Sequence, residues 1–541
     1  MKRIFQMKKL VILIAALSVG VYAKAQSLTD GIKMYKYERY QSAQKILQPM
    51  SMTNQQANYY YGLCVLANGD AESAKTIFAK YAEDIANQSG LARVAFAKGD
   101  VATGNQLATA IANKAKKKDW ENYKYAADAI TYSEGGDYMQ AIAWYKKAIE
   151  IKDDAEMRIG LGDAFEKVPG GGGDAMNNYE HVTDKDNKNT FAWTEIGELW
   201  YAAKTYDKAL VAFRKATEAD PANPVPYRDL ANAYSWSGNY DSAKKYADKY
   251  LELSDKSMKD RVQHAITDHL AHHCPEAINE INQLISEGAK DANLYGAIAY
   301  CQMEAGDGLN AMINVRLYFA KQDARRLKPL DYLYYGRIMM MNGLTDSANY
   351  YFNKSITIDT TIGRTDISRQ IADTFKRVKD YRHSAEWYGK LVTINPETQP
   401  IDYFWWTVML YYAKEYDNAK TAGKAFEAKY PNEASAIYWE GRIYAAVDSE
   451  AKGGDAVPYY TKWLADTSGK KKPNDQMQAY QYLLLYYYQK DDNKGMDEYM
   501  DKIKAIDPNN GLLKQIADLR KQTKTQRPAP AGMKTPAKPH H

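Results

Sequence analysis

Cysteine is scarce in this chain of 541 residues: only Cys64, Cys274 and Cys301 are present. An odd count excludes a full disulfide framework as the source of stability. Buried thiols acting as small apolar side chains are the expectation, with a Cys274–Cys301 bond open only if adjacent hairpins bring the two together. Phenylalanine is also scarce, 11 residues against 46 tyrosines. Rings that bury a face while keeping a polar tip wet suit a molecule with much surface relative to core. The apolar run at residues 10–22 has 13 residues, short of the roughly 20 that a membrane-spanning helix needs. Net charge is small, +5, and Lys2, Arg3, Lys8, Lys9 and Lys24 account for it. Five more basic residues, Lys521, Lys524, Arg527, Lys534 and Lys538, crowd the end of the chain, so the body between is mildly acidic. That excludes bulk nucleic-acid binding, which needs a basic face.

The ends carry their own signals. Residues 1–9 are basic, residues 10–22 apolar, and Ala23-Lys24-Ala25 has the small-x-small form of a cleavage site, so residues 1–25 read as a signal peptide cut between Ala25 and Gln26. A periplasmic or secreted location follows. No cysteine stands after the apolar run to carry a lipid. Residues 523–541 are Pro, Ala, Lys and Thr, with Pro528, Pro530, Pro536 and Pro539, and read as a disordered basic tail.

Between the ends, one pattern repeats. Trp193, Ile196, Gly197, Trp200, Tyr206, Ala209, Phe213, Ala216 and Pro221 alternate large and small residues, and Tyr227, Leu230, Ala231, Tyr234, Tyr240 and Ala243 repeat the order 34 residues later. Small residues let two helices approach, rings fill the groove beside them, and proline stops the second helix. The pattern resembles the tetratricopeptide repeat (TPR) family. Further copies include Gly62 with Ala74 and Phe78, Gly162 with Ala175 and Tyr179, Gly336 with Ala348 and Phe352, and Gly441 with Ala456 and Tyr460. The resemblance implies an all-α, right-handed superhelical solenoid of about fourteen helical hairpins. Its expected parts are an N-terminal array over 26–254, degenerate repeats over 255–325, a C-terminal array over 326–509 and a capping helix over 510–522, where Leu512, Leu513, Ile516 and Leu519 form an apolar stripe.

The family's grooves are lined from positions 2, 5, 9, 12 and 13 of each first helix. The resemblance therefore assigns partner binding to Arg228, Asn232 and Trp236, and to Phe404, Tyr411, Tyr412, Tyr438 and Arg442. Arg228 and Asn232 resemble the basic-plus-Asn pair of carboxylate-clamp repeats, although Gln263, Asp291 and Tyr295 stand where such a clamp wants Asn, Lys and Arg. The implied function is a non-catalytic scaffold for cell-envelope proteins, similar to exported repeat proteins of Bacteroidota that attach to outer-membrane secretion, assembly or motility machinery. Peripheral association with the outer membrane would fit it. No catalytic residue, cofactor, metal or nucleic acid is expected. A carbohydrate-binding module, with groove rings stacking on sugars, is the alternative.

A second alternative is an enzyme with a metal site among His264, His269, His272, His273 and Cys274. His269 and His273 would share a face at i, i+4 on one helix, but the spacing fits no zinc pattern, and exposed histidines at an interhelix turn are the expectation. The run Pro169 to Asp174 has the glycines of a phosphate loop without its Lys and Ser or Thr, and reads as a turn. Asp153-Asp154 and Asp491-Asp492 read as helix starts.

Overall fold

The computed structural model of the protein describes residues 27–467 and 469–523. The segment expected to be a signal peptide, residues 1–25, and the expected tail beyond 523 lie outside these. Among the described residues there are 29 α-helices, one short 3-10 helix and no strands. In chain order they form fourteen helix–turn–helix pairs followed by Gly511–Thr523, the all-α repeat arrangement expected. Residues 255–325 form helices as regular as the rest, with Met258–Leu270 and Cys274–Ser286 as one pair. Among the described residues no helix is long and apolar enough to cross a membrane.

Local chemistry starts and spaces these helices. Acids open many of them: Asp154 accepts from the Met157 N–H at 3.0 Å and Asp492 from Gly495 at 3.1 Å, each satisfying a donor that the helix leaves unpaired. The Pro169–Gly171 stretch is a turn before Gly172–Lys185. Within each pair a missing side chain sets the approach. A Cβ on Gly197 would lie 2.3 Å from the Phe213 ring, one on Gly162 2.3 Å from Tyr179, and one on Gly336 2.3 Å from Phe352. Phe213, Tyr179 and Phe352 are buried, so the same aromatic-on-glycine contact fills the core of successive hairpins.

The helices gather into two compact units, residues 1–305 and 306–541. In the first, the opening pair, Leu28–Lys36 and Tyr40–Met50, meets the sixth and seventh pairs. Helix Tyr40–Met50 has no local side-chain cap. Its cap comes instead from Asp255, whose carboxylate accepts from the backbone N–H groups of Gln41 (2.8 Å) and Ser42 (3.0 Å) and pairs with Arg39 at 3.3 Å. Tyr37 donates its hydroxyl proton to Asp220, and its ring, 2% exposed, rests on Phe191. Glu38 pairs with Arg228. The first unit is thus a coil closed on itself, and nothing in the repeat pattern announces that closure.

Two further expectations are corrected. Cys274 and Cys301 form a disulfide, not two buried thiols, because consecutive hairpins bring their Cα atoms within 5.2 Å; Cys64 is a free buried cysteine. His269 and His273 do not share a helix face. Met258–Leu270 ends before His272, which takes a left-handed φ of 60°, and His273 stands at the cap of Cys274–Ser286.

Candidate functional site

Closure of the first unit encloses a cavity of about 1130 Å³. Its wall is made by the first helices of successive pairs, and the groove rule locates the lining. Position 9 supplies Leu63, Arg93, Asp128, Asp163 and Glu198 in five successive copies, and position 5 supplies Tyr59, Lys124 and Ile159. The rule that points to the copy beginning at Pro224 reads the N-terminal copies equally well, and the repeat spacing is the signal for these lining residues.

The charges of the wall are unequally paired. Lys124 is held by Asp128 at 2.6 Å and Glu156 at 3.5 Å, and Tyr145 donates a further hydrogen bond to Asp128 at 2.5 Å. Across the cavity, Asp163, Glu166, Glu195 and Glu198 crowd together. Asp163 accepts from the hydroxyls of Tyr132 (2.7 Å) and Tyr179 (2.8 Å). Burial nevertheless pushes its carboxyl up to about 7. Burial, then the neighbouring Asp229, pushes Glu198 up to about 8 against the pull of Arg228, and burial with the Asp163 charge raises Glu195 as well. Burial favours the neutral form of each carboxyl, and at Glu198 the Arg228 guanidinium 3.8 Å away does not offset it. The acidic side of this cavity thus sets four carboxyls against the nearby charges of Arg228 and Lys167.

The three central residues assigned to partner binding separate. Arg228 is committed to the closure, held by Glu38, by Asp229 at 3.0 Å and by Glu198 at 3.8 Å. Asn232 is half-buried beside it. Trp236 is 69% exposed and stacks on Tyr206.

In the second unit, the five assigned residues all meet one that was not assigned, Trp439. Its buried ring meets Phe404, Tyr411 and Tyr412 edge-on at 6.1, 5.3 and 6.1 Å. The Arg442 guanidinium lies over it at 4.4 Å and over Tyr411 at 4.8 Å. Tyr438, the neighbour of Trp439 in the chain, also meets its ring edge-on at 6.1 Å. It is buried against Trp463, with its hydroxyl 3.0 Å from the Asp475 carboxylate, because the following helix, Pro473–Gln489, covers that groove position. Its ring is thus part of the packing and not of an open groove. The signal for Trp439 was its place one residue after Tyr438, on the turn that faces back toward the preceding pair.

The histidines divide likewise. His272 and His273 are exposed as expected, but His264 and His269 are not. His264 lies between Asp248 (2.8 Å from Nε2) and Glu280 (2.7 Å from Nδ1). Burial works against its charge, yet those two hydrogen bonds prevail and raise it to about 8. His269 packs on Tyr300, with Nδ1 3.4 Å from Cys301 Sγ.

Comparison with known proteins gives the repeat a name. Two segments, residues 201–259 and 129–154, match family models described as tetratricopeptide repeat. Among solved structures, the chain is similar to the C-terminal part of a TPR repeat-containing protein from Cytophaga hutchinsonii, at 27% identity over 47% of this chain and 98% of that one, with a TM-score of 0.39. A tetratricopeptide repeat protein from Parabacteroides merdae is similar at 21% identity over 45% of this chain and 94% of that one, TM-score 0.34. YrrB, a TPR protein with an unusual peptide-binding site, is similar at 18% identity over 33% of this chain and 92% of that one, TM-score 0.31. A search among curated proteins returns no match.

Proposed function

We propose that this tetratricopeptide-repeat protein is a non-catalytic scaffold of the cell envelope that holds a basic segment of a partner protein in the cavity of its first unit. The observation that carries the reading is the set of carboxyls, Asp163, Glu166 and Glu198 at groove positions with Glu195 beside them, gathered on one wall of that cavity and raised in pKa by burial and, for Asp163, Glu195 and Glu198, by neighbouring acids. A Lys or Arg side chain would favour their charged forms. Tyrosines on the opposite wall, Tyr59 and Tyr60, offer rings against which such a stem packs. The aromatic and guanidinium cluster around Trp439 is a second surface of the same kind of scaffold, built from the residue types that dominate binding energy at protein interfaces. Export rests on residues 1–25, and N-terminal sequencing of envelope protein should begin at Gln26.

The cavity reading is tested in cells with a photo-crosslinking side chain at Glu166, inside the cavity, and at Met139, exposed on an outer helix. Capture from position 166, lost on adding Glu195→Gln and Glu198→Gln, is the expected outcome. Equal capture from both positions, or none from position 166, sinks the reading.

A further inference from the structure

Three consecutive helices of the first unit bring three metal-binding side chains to one point, with a fourth, Glu304, beside them. His269 comes from the last turn of Met258–Leu270, Cys274 opens Cys274–Ser286, and Cys301 and Glu304 sit one turn apart on Ala292–Glu304. The ligand atoms of His269, Cys274 and Cys301 lie within 4.8 Å of one another. His269 Nδ1 is 3.4 Å from Cys301 Sγ, and a Glu304 carboxylate oxygen is 3.6 Å from Cys274 Sγ. Zinc bonded to sulfur at ~2.3 Å and to nitrogen or oxygen at ~2.0–2.2 Å in a tetrahedron sets such donors about 3.5 Å apart. Both separations match that spacing. The bond between the two sulfurs departs from it, and the exposed Glu304 side chain must swing inward to complete the tetrahedron.

We propose that reduction of the Cys274–Cys301 disulfide converts this cluster into a zinc site made of two thiolates, His269 Nδ1 and a Glu304 carboxylate oxygen. The steps balance. A dithiol reductant gives two electrons and two protons to the disulfide, becoming a cyclic disulfide itself and leaving two protein thiols. Zinc(II) then displaces one proton from each thiol to solvent, so the bound ion carries two sulfur bonds with no further redox change. Cys301 is fully buried and closes the inner side, whereas Glu304 is exposed and leaves a path for the ion. His272, with Nδ1 3.3 Å from the Glu304 carboxylate, is placed to hold that ligand by an outer hydrogen bond. The disulfide and the metal exclude each other, because both use the same two sulfurs. Zinc occupancy would therefore report, and protect, the reduced state.

The test uses the full chain, oxidised or reduced with a dithiol and desalted under argon, titrated with zinc against a chromophoric chelator and separately with cobalt(II). The expected result is about one equivalent of zinc in the reduced protein alone, with cobalt giving thiolate-to-metal charge transfer and the visible bands of a tetrahedral site. His269→Ala leaves the disulfide intact and should weaken zinc binding to the reduced form by more than about tenfold, the least that even an outer partner contributes; His272→Ala should cost about tenfold. Equal zinc in oxidised and reduced protein would place the metal elsewhere, at Asp248, His264 and Asp268 for instance, and overturn the proposal. So would a reduced protein that binds none, whether or not circular dichroism shows it still helical, or a His269→Ala variant that binds as tightly as the original.

Discussion

The two units use one kind of hairpin and finish it differently. In the second unit, contacts such as Tyr438 to Gln478 span 40 residues, about one repeat. In the first, Asp255 reaches Gln41 across 214. Hairpin packing fixes how neighbours stack, and it is indifferent to which distant repeats meet. Polar residues outside the packing positions decide that. The comparison also separates their surfaces: the cavity wall of the first unit is charged and half-paired, whereas the surface around Trp439 is aromatic with one guanidinium.

The sharpest way to break this contrast is to undo the closure. Arg228→Ala leaves Glu38, Asp229 and Glu198 facing one another, and should destabilise the first unit by about 3 kcal/mol in denaturant unfolding. Hydrogen exchange over residues 28–50 should quicken with it, while exchange over residues 400–447 stays unchanged. Asp255→Ala removes a helix cap and an ion pair together and should cost about 2 kcal/mol by the same readout. Intermediate in size are Gly197→Ala and Gly336→Ala, one in each unit. Each forces a methyl into a buried ring and should cost about 1–3 kcal/mol. Equal losses would show that packing is common to the units, and a marked inequality would show that closure stiffens the first.

Smaller, and confined to the first unit, is a pH effect. Glu198, pushed up to about 8, holds its proton in the folded state where an ordinary glutamate, at about 4.3, has lost it. The stability it contributes is complete below about pH 4 and is lost as pH rises through 8, so the first unit should melt higher at pH 5.5 than at pH 8.5. His264, raised to about 8 from an ordinary 6.5, acts in the same direction over pH 6.5 to 8. Glu198→Gln should remove part of the slope between pH 5 and 6, where His264 is protonated in both states. The smallest expected effect is that of Trp236→Ala: its ring is mostly exposed, and stability should change by no more than ~0.5 kcal/mol.

How much of this could be read from the sequence follows from what each feature depends on. Gly197 and Phe213 announce their contact because hairpin packing is local and recurs every 34 residues. The same locality gave the fourteen pairs and the acids that open helices. Arg228 was placed correctly in a first helix and on the inward face, yet its partner Glu38 lies 190 residues away, a distance over which periodicity carries no information. Tyr438 obeyed the groove rule but is covered, because Pro473–Gln489 packs over it and brings Asp475 and Gln478 to its hydroxyl. Cys274 and Cys301 are 27 residues apart, and whether their side chains converge depends on the register of two hairpins, which composition does not set.

The borrowed cap of Tyr40–Met50 has one more consequence. In an open array each repeat leans only on its neighbours, and fraying begins at a terminal repeat because that repeat has one neighbour instead of two. The hairpin Leu28–Met50 has a second neighbour through Asp255, Asp220 and Arg228. Unzipping from that side must first break a latch on the seventh repeat, so the first unit loses its weakest edge and melts as a hoop does, by rupture somewhere along its circumference.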